Sequence, residues 1–410
     1  MSEPIIFSHP FYAYCKEALE DIEKQGRYRR FTPLSRQSMH YPVYDRKINA
    51  KEETPIIAWS ANDYLGMGIE PEVMNAAIMA IQKYGAGAGG TRNIAGTHPL
   101  HEALEAELAD LHDKEAGLLF VSGYASNQAS LQTILTSMSG NWMTFSDQQN
   151  HNSMIAGIKG AKNADCVVFK HNDLQDLEHK LANAPKNVAK LIAFESVYSM
   201  DGDIADIGAI CALAHKYNAL TYLDEVHAVG LYGKEGGGVS QRDGVANQVD
   251  IIEGTLAKGF GVHGGYVTAK REIIEYLRLA AAGFIFTTSL PPSVVAAALK
   301  SVRLVRQQNW RREKLFERIH TFQEKLRQAN IPFIETKSQI VPVIIGEAEL
   351  CKKISQRLLD EYKIYAPPIN YPTVPKGTER LRLTPNPYHT DKMMDDMVDA
   401  LKALLPKNEF

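Results

Sequence analysis

TYLDEVHAVGLYG (221–233) and IIEGTLAKGFGVHGGY (251–266) form the stretch whose reading decides the fold. Two short apolar runs, Leu220–Leu223 and Ile251–Ile252, each end in residues with a chemical handle. Short apolar runs bounded by polar and Gly signals read as buried parallel strands. In an open α/β sheet, ligands collect at the carboxyl ends of such strands. Asp224 and His227 leave the first strand, and Lys258 follows the second. Taken singly, a Lys after a strand is ordinarily solvated, and an Asp at a strand end is ordinarily a helix N-cap. The ordered set reads differently, because Thr255-Leu-Ala-Lys258-Gly-Phe-Gly261 surrounds the lysine with small residues that leave room for a planar cofactor. An acid, an imidazole and an amine on neighbouring strand ends can hold a pyridine ring from three sides. The carboxylate keeps the ring nitrogen protonated, and the amine forms a Schiff base with an aldehyde.

Outward from that stretch, composition sets limits. At 410 residues the chain exceeds one simple core, and two domains are expected. Hydrophobic residues make up 45% and charged residues 23%, the balance of an ordinary globular protein. A formal charge of −3 without a long basic run argues against a nucleic-acid partner held by general electrostatics. Cys15, Cys166, Cys211 and Cys351 are scattered without a CxxC pair, so neither a zinc site nor a disulfide framework is expected, and no metal is assigned. No apolar run approaches the ~20 residues that span a bilayer, so no membrane partner is expected. The amino terminus has neither a basic region before an apolar core nor an Arg-rich amphipathic stretch. A cytoplasmic, bacterial-type protein is expected; a processed organellar form would read the same.

In chain order, Tyr14, Ala18 and Ile22 predict a helix from Pro10 that Gly26 can end. Arg27-Tyr-Arg-Arg-Phe31 then interleaves cations with aromatics. Ile56–Trp59 predicts a strand opening onto Ser60-Ala-Asn62-Asp-Tyr64-Leu-Gly66, where Asn and Asp before Gly signal a turn. Pro71–Tyr84 has helix signals at both ends. The Gly-rich loop after it follows a helix rather than a strand, which disfavours a dinucleotide-binding turn. Leu118–Val121 predicts a strand running into Ser122-Gly123-Tyr124-Ala-Ser-Asn127. Strand, small polar residues and helix make a phosphate site from backbone N–H groups, and the same residues fit an ordinary N-cap equally well. Met143–Ser146, Cys166–Phe169 and Leu191–Phe194 predict further strands, with a helix over Leu174–Leu181. Asp201-Gly-Asp203 reads as a structural turn. One helix is predicted from Ser293 to about Arg312, and a strand over Ile340–Ile345. Pro367–Pro375 is too Pro-rich for a central strand or a helix. Arg380, Arg382 and Thr384 alternate with period two and share one strand face.

The lysine-bearing stretch, Gly90-Thr-Arg-Asn-Ile94, the Arg27–Phe31 arm and Glu195–Asp203 resemble the α-oxoamine synthases, pyridoxal-phosphate enzymes that condense an amino acid with an acyl-CoA. The similar segments run from Gly26 to Leu404. Within that family the motifs are most similar to the branch that joins glycine to succinyl-CoA and releases carbon dioxide to give 5-aminolevulinate, the first step of haem and tetrapyrrole biosynthesis. A related synthase using another acyl-CoA is the alternative. The resemblance implies an α/β fold of the fold-type-I pyridoxal-phosphate-dependent transferase kind (aspartate-aminotransferase-like), with a mainly parallel central sheet plus a smaller α+β domain. It divides the chain into 1–55 (arm and part of the small domain), 56–292 (large, cofactor-binding) and 293–410 (C-terminal small domain), and implies a homodimer with shared active sites.

By that resemblance Lys258 would carry pyridoxal phosphate, Asp224 would meet the ring nitrogen, His227 the ring hydroxyl, and His151 would lie flat against the ring. These four would be the catalytic residues. Gly123, Tyr124, Thr287 and Thr288 would hold the phosphate, the threonines across the subunit interface. Ser199 and Thr255 would also touch the cofactor, with Tyr64 nearby. Arg382 would clamp the glycine carboxylate, and Asn62 would reach the substrate. Arg29, Thr91, Asn93, Ser146 and Thr373 would take the succinyl end. A guanidinium fork suits a carboxylate through two parallel hydrogen bonds. Two departures stand out. The turn reads Ala257-Lys258-Gly259 where the family more often has Gly before the lysine and Ala after it; the swap conserves small volume, and little effect is expected. The family often carries a Lys just before the strand at Cys166, toward the CoA nucleotide. Asp165 and Cys166 stand there instead, with Lys159 or Lys162 as substitutes.

Overall fold

The computed structural model describes residues 9–25, 27–29, 31–47, 49 and 53–406; Gly26, the expected helix stop, and Arg30 of the arm lie outside them. After the helix Pro10–Lys24 come β1 (Leu34–Arg36), β2 (Val43–Lys47) and β3 (Glu53–Ala58). Seven strands follow: β4 (Ala116–Phe120), β5 (Trp142–Asp147), β6 (Asp165–Phe169), β7 (Ala189–Glu195), β8 (Ala219–Asp224), β9 (Ile251–Thr255) and β10 (Gly265–Ala269). The last are β11 (Val341–Ile344), β12 (Ile364–Tyr365), β13 (Pro368–Ile369) and β14 (Arg380–Leu383). Strands β4 to β10 form one seven-stranded sheet in the order β4-β10-β9-β8-β7-β5-β6. Its strands β9, β8, β7, β5 and β6 run parallel, and β10 is antiparallel to both its neighbours. Two smaller sheets have the orders β1-β2-β3-β12 and β11-β14-β13.

The apolar runs arise because both faces of the large sheet are covered. Leu191 and Ala193 belong to one apolar cluster, and Ile192 and Phe194 to the other. Tyr222 and Leu223 divide the same way, as do Ile251 and Ile252. A strand buried on both sides shows no alternation, which is why these segments read as unbroken runs. The layer that holds Ala193, Tyr222 and Ile251 also holds Leu131 and Ile134 of the helix Gly123–Thr136. Two residues further along each strand, on that same face, come Glu195, Asp224 and Glu253.

The structure corrects one expectation and adds to two others. The helix expected from Ser293 to about Arg312 is two, Pro292–Gln307 and Trp310–Gln328, because Gln308 is extended at φ −118°, ψ 113°. The strand over Ile56–Trp59 pairs in the β1-β2-β3-β12 sheet, with β2 on one side and β12 on the other. Strand β10 has no counterpart among the expected elements; it opens on Gly265, directly after Gly264. The Pro-rich segment contributes only the two-residue edge strand β13, as a ring without a donor requires.

His171, in the turn after β6, ties the strand ends together. Its Nδ1 lies 2.8 Å from Asp147 Oδ1 and its Nε2 lies 2.7 Å from Asp203 Oδ2. Its ring stands edge-on to Tyr198, with centroids 4.4 Å apart. Burial works against the charged ring, but hydrogen bonds to both carboxylates and their charges overcome it and raise the pKa from 6.5 to about 10. A folded value above the unfolded one makes the contribution complete below about 6.5 and lost as pH rises through about 10. His171→Gln is therefore expected to lower stability by roughly 2 kcal/mol near neutral pH, after allowance for solvent screening. In denaturant unfolding, the gap to the parent protein should shrink between pH 6.5 and 10; a gap that widens over this window contradicts the doubly paired imidazolium.

Candidate active site

The turn after β9 carries Lys258, whose Nζ lies 2.9 Å from His227 Nε2. His227 Nδ1 is 2.9 Å from Tyr64 Oη, and Tyr64 Oη accepts from Arg382 Nη2 at 2.9 Å. With Nε2 accepting from the amine, this tautomer places the imidazole proton on Nδ1, directed at Tyr64. Arg382 also donates from Nε to the Ser199 carbonyl at 2.6 Å and from Nη1 to Asn62 Oδ1 at 3.3 Å. A chain of contacts thus runs from β14 through the Asn62–Tyr64 turn to the lysine. Burial, followed by the charges of Lys258 and Arg382, holds His227 well below the ordinary imidazole range, so the ring is neutral. Burial also draws the Lys258 amine down to about 8; Asp224 opposes that fall, and Arg382 adds to it.

Asp224 is buried at the end of β8. Its Oδ2 accepts from Asn127 Nδ2 at 2.7 Å and its Oδ1 from the Val226 amide at 2.8 Å, which fixes the carboxylate plane. His151 caps the helix Asn152–Gly160 and donates its amide to Glu195 Oε1 at 2.6 Å. Its Nδ1 is 2.7 Å from Ser153 Oγ, and the Tyr124 ring stands edge-on with centroids 6.4 Å apart. Burial lowers its pKa; Asp224 acts against this and Lys258 with it.

Ser122 caps the helix Gly123–Thr136, its hydroxyl accepting from the Ala125 amide at 3.1 Å. The amides of Gly123 and Tyr124 open the first turn, where helical N–H groups lack partners within the helix. A Cβ on Gly123 would lie 3.3 Å from Thr255, so the helix start is pressed against the end of β9. Thr255 donates to the Gly264 carbonyl at 2.9 Å and closes the lysine-bearing turn. This donor set fits pyridoxal phosphate. The helix start would suit the phosphate, the fixed carboxylate the ring nitrogen, the neutral imidazole the ring hydroxyl, and the amine with a lowered pKa the aldehyde.

A second group forms away from that chain of contacts. Thr91 Oγ1 donates to Asn93 Oδ1 at 2.6 Å, and Thr91 bridges to Thr288 through the backbone. Ser289 Oγ binds the carbonyls of Gly90 and Gly96 at 3.0 and 2.7 Å, and Thr287 donates to Gly283 O at 2.8 Å. Among the described residues, no hydrogen bond joins this group to Lys258, Asp224 or Arg382. Arg29 meets Thr373 by donating from Nη2 to Oγ1 at 2.7 Å, so two residues expected at the succinyl end come together across the sequence. Ser146 is buried, and its hydroxyl accepts from Asn150 Nδ2 at 2.9 Å. Lys159 stands near enough to Cys166 that its charge opposes the upward push of burial on the thiol.

Sequence reasoning passed over Asn127, Glu195 and Glu253, which surround Asp224. One signal was available for Glu253, a charged residue inside the apolar run Ile251–Thr255. The expectation that Gly259 and Ala exchange freely is corrected. A Cβ on Gly259 would lie 2.1 Å from the Val229 carbonyl, so the backbone of the Asp224–His227 turn approaches too closely for any side chain there.

Residues 54–401 match the family model for aminotransferase class I and II. The chain is 51% identical to 5-aminolevulinate synthase of Rhizobium meliloti, over 96% of this chain and 97% of that protein. It is 48% identical to the Rickettsia prowazekii 5-aminolevulinate synthase, over 93% and 91% of the two chains. Among solved structures, a serine palmitoyltransferase from S. paucimobilis holding PLP joined to myriocin is similar at a TM-score of 0.86 and 30% identity, covering 96% of this chain and 97% of that one. The 8-amino-7-oxononanoate synthase of Francisella tularensis is similar at 0.72 and 25%, covering 85% and 97%.

Amine acylation followed by mass spectrometry is expected to modify Lys258 with a midpoint near pH 8 rather than the ordinary 10.5. Asp224→Asn removes the charge that holds this value up, so the midpoint should drop further; a rise would contradict the arrangement. Gly259→Ala is expected to cost roughly 1–3 kcal/mol in denaturant unfolding, because backbone rather than a flexible side chain must give way.

Proposed function

The chain belongs to the aminotransferase class I and II family, and we propose that it condenses glycine with succinyl-CoA, with loss of CoA and carbon dioxide, to give 5-aminolevulinate. Identity near one half to 5-aminolevulinate synthases over almost the whole chain supports this. The observation that carries it is the continuous run of contacts from Arg382 through Tyr64 and His227 to Lys258, beside the fixed carboxylate of Asp224. Bound pyridoxal phosphate supplies an electron sink for the glycine α-carbon. Lys258 Nζ would hold the aldehyde and would serve as the base for the glycine α-proton. An amine with a pKa of about 8 is available in its neutral form near neutral pH. Asp224 keeps a proton at the ring nitrogen, His227 orients the ring hydroxyl, and His151 covers the ring face. The first-turn amides of Gly123 and Tyr124, with the hydroxyls of Thr287 and Thr288, hold the phosphate; Ser199 and Thr255 line the cofactor.

Arg382 and Asn62 hold the glycine carboxylate. Arg29, Thr91, Asn93, Ser146 and Thr373 read the far carboxylate of succinyl-CoA, and Lys159 meets the CoA nucleotide. A guanidinium paired with a threonine hydroxyl suits a short acidic acyl group and disfavours the long acyl chains of other α-oxoamine synthases. The protein acts as a homodimer in which Thr91, Asn93, Thr287 and Thr288 of one subunit complete the site of the other. Ile94 and Phe286, 79% and 80% exposed in the single chain, are apolar surface that such an interface covers. The division into 1–55, 56–292 and 293–410 belongs to this proposal, with β4 to β10 inside the middle segment and β1, β2 and β12 in the flanking ones. Among the described residues, no helix is long and apolar enough to cross a membrane. The product feeds haem and other tetrapyrrole synthesis in the cytoplasm.

Lys258→Ala is expected to fold, to lack the yellow colour of the loaded protein, and to lose at least ~1,000-fold in turnover. Normal turnover in that variant, measured as 5-aminolevulinate formed from glycine and succinyl-CoA, would refute the assignment. Arg29→Leu or Thr91→Val should lower kcat/KM for succinyl-CoA by about tenfold or more relative to uncharged acyl-CoAs. Equal losses for all acyl-CoAs would mean that these residues do not read the carboxylate.

A further inference from the structure

Three acids stand in one row where β7, β8 and β9 end. Glu195, Asp224 and Glu253 are only 3%, 3% and 0% exposed. The sheet register pairs Glu195 with Asp224 and Asp224 with Glu253, so the pleat turns all three toward the helix Gly123–Thr136. Neighbouring strands lie about 4.8 Å apart, and carboxylates at that spacing away from water cannot all ionise. Hydrogen-bond donors are shared unevenly. Asp224 receives two, from Asn127 and Val226, and Glu195 receives the His151 amide. Glu253 Oε1 receives the Ser126 hydroxyl at 2.5 Å, while its buried Oε2 has no donor among the described residues. Glu253 is the register partner of Asp224 on the adjoining strand, on the same face of the sheet. A donorless oxygen set against a second carboxylate is where a carboxylic acid carries its proton.

We propose that Glu253 is a positioning residue for Asp224: it stays a neutral carboxylic acid, donates its Oε2 proton to Asp224, and accepts from Ser126, so that Asp224 bears the negative charge of the row. Burial, and then the charge of Asp224, push the carboxyls of Glu253 and Glu195 well above the ordinary carboxylate range. The other titratable groups near Glu253 are Tyr222 of β8 and Tyr266 of β10, both kept neutral by burial, and Lys258, which acts in the opposite sense. Glu253 also joins the two ends of the site. Ser126 lies in the first turn of the helix Gly123–Thr136, and a Cβ on Gly123 would stand 3.4 Å from Glu253 Oε1. The ring-nitrogen partner and the phosphate-binding turn therefore share one buried acid. This inference rests on the pyridoxal-phosphate reading of the site.

The infrared difference between the parent protein and Glu253→Gln at neutral pH is expected to show a protonated carboxylic acid carbonyl band that the variant lacks. A difference made only of carboxylate bands overturns the neutral acid. The cofactor-free chain gives this reading as well, so a protein that takes up no pyridoxal phosphate sinks the site assignment without touching the infrared result. In the loaded protein, Glu253→Leu cannot donate to Asp224 and should move the pH midpoint of the cofactor's visible absorption by about one unit. Glu253→Gln, whose amide donates to Asp224 and accepts from Ser126, should leave that midpoint in place. No movement in the leucine variant, or equal movement in both, overturns the coupling to Asp224. If the leucine variant does not fold, the infrared comparison with the glutamine variant decides alone.

Discussion

The Lys258 amine lies 2.9 Å from a neutral imidazole, part-buried and within the field of Asp224 on the adjoining strand. Keeping a lysine amine in that state is the constraint to which the surrounding structure answers. Water would return its pKa to the ordinary value, so the site has to exclude water; a second cation too close would drive the amine fully neutral, so the acids have to compensate. The turn that carries it is correspondingly tight, with Gly259 packed on the Val229 carbonyl and Thr255 bonded to Gly264.

That constraint ties the three sheets together. Arg382 sits on β14 of a small sheet, Tyr64 on the turn after β3, and His227 and Lys258 on turns of the large sheet. Thr384 extends the docking by donating to the carbonyls of Trp59 and Ala61 at 3.2 and 3.0 Å. Arg380, on the same face as Arg382, pairs with Asp201 and also reaches the Met200 carbonyl. The residues proposed for substrate and for cofactor are therefore joined by hydrogen bonds that cross sheet boundaries. The Asp201-Gly-Asp203 turn, structural in character, supplies two anchors for this, Asp201 to Arg380 and Asp203 to His171.

The central sheet was legible because parallel strands buried on both faces leave unbroken apolar runs, as β7, β8 and β9 do; the apolar runs of β4, β5 and β6 also marked strands, although β6 is an edge strand and largely exposed. Strand β10 was not legible in this way, since Gly265 gives up its side chain to let β10 pass 2.4 Å from the Ser122 backbone as measured to an added Cβ. The helix break at Gln308 was hidden for a different reason: no Pro or Gly marks it, and the two helices meet at an extended Gln308. Among site residues, Lys258, Asp224 and His227 were readable from their positions at strand ends. The partners that give them their chemistry, Asn127, Glu195 and Glu253, lie up to 126 residues away from one another and become neighbours only through strand order.

By itself the sequence determined the class of fold and pointed to the amine, acid and imidazole, with the small residues that make room beside the amine. These are properties of local spacing: apolar runs of a given length, handles at their ends, glycines where side chains would not fit. Only the tertiary structure decided that three acids share one row, that His171 is held charged between Asp147 and Asp203, and that the amine's pKa falls to about 8. Protonation is set by distance and by exclusion of water, and both are fixed by which strands lie side by side rather than by which residues are adjacent in the chain.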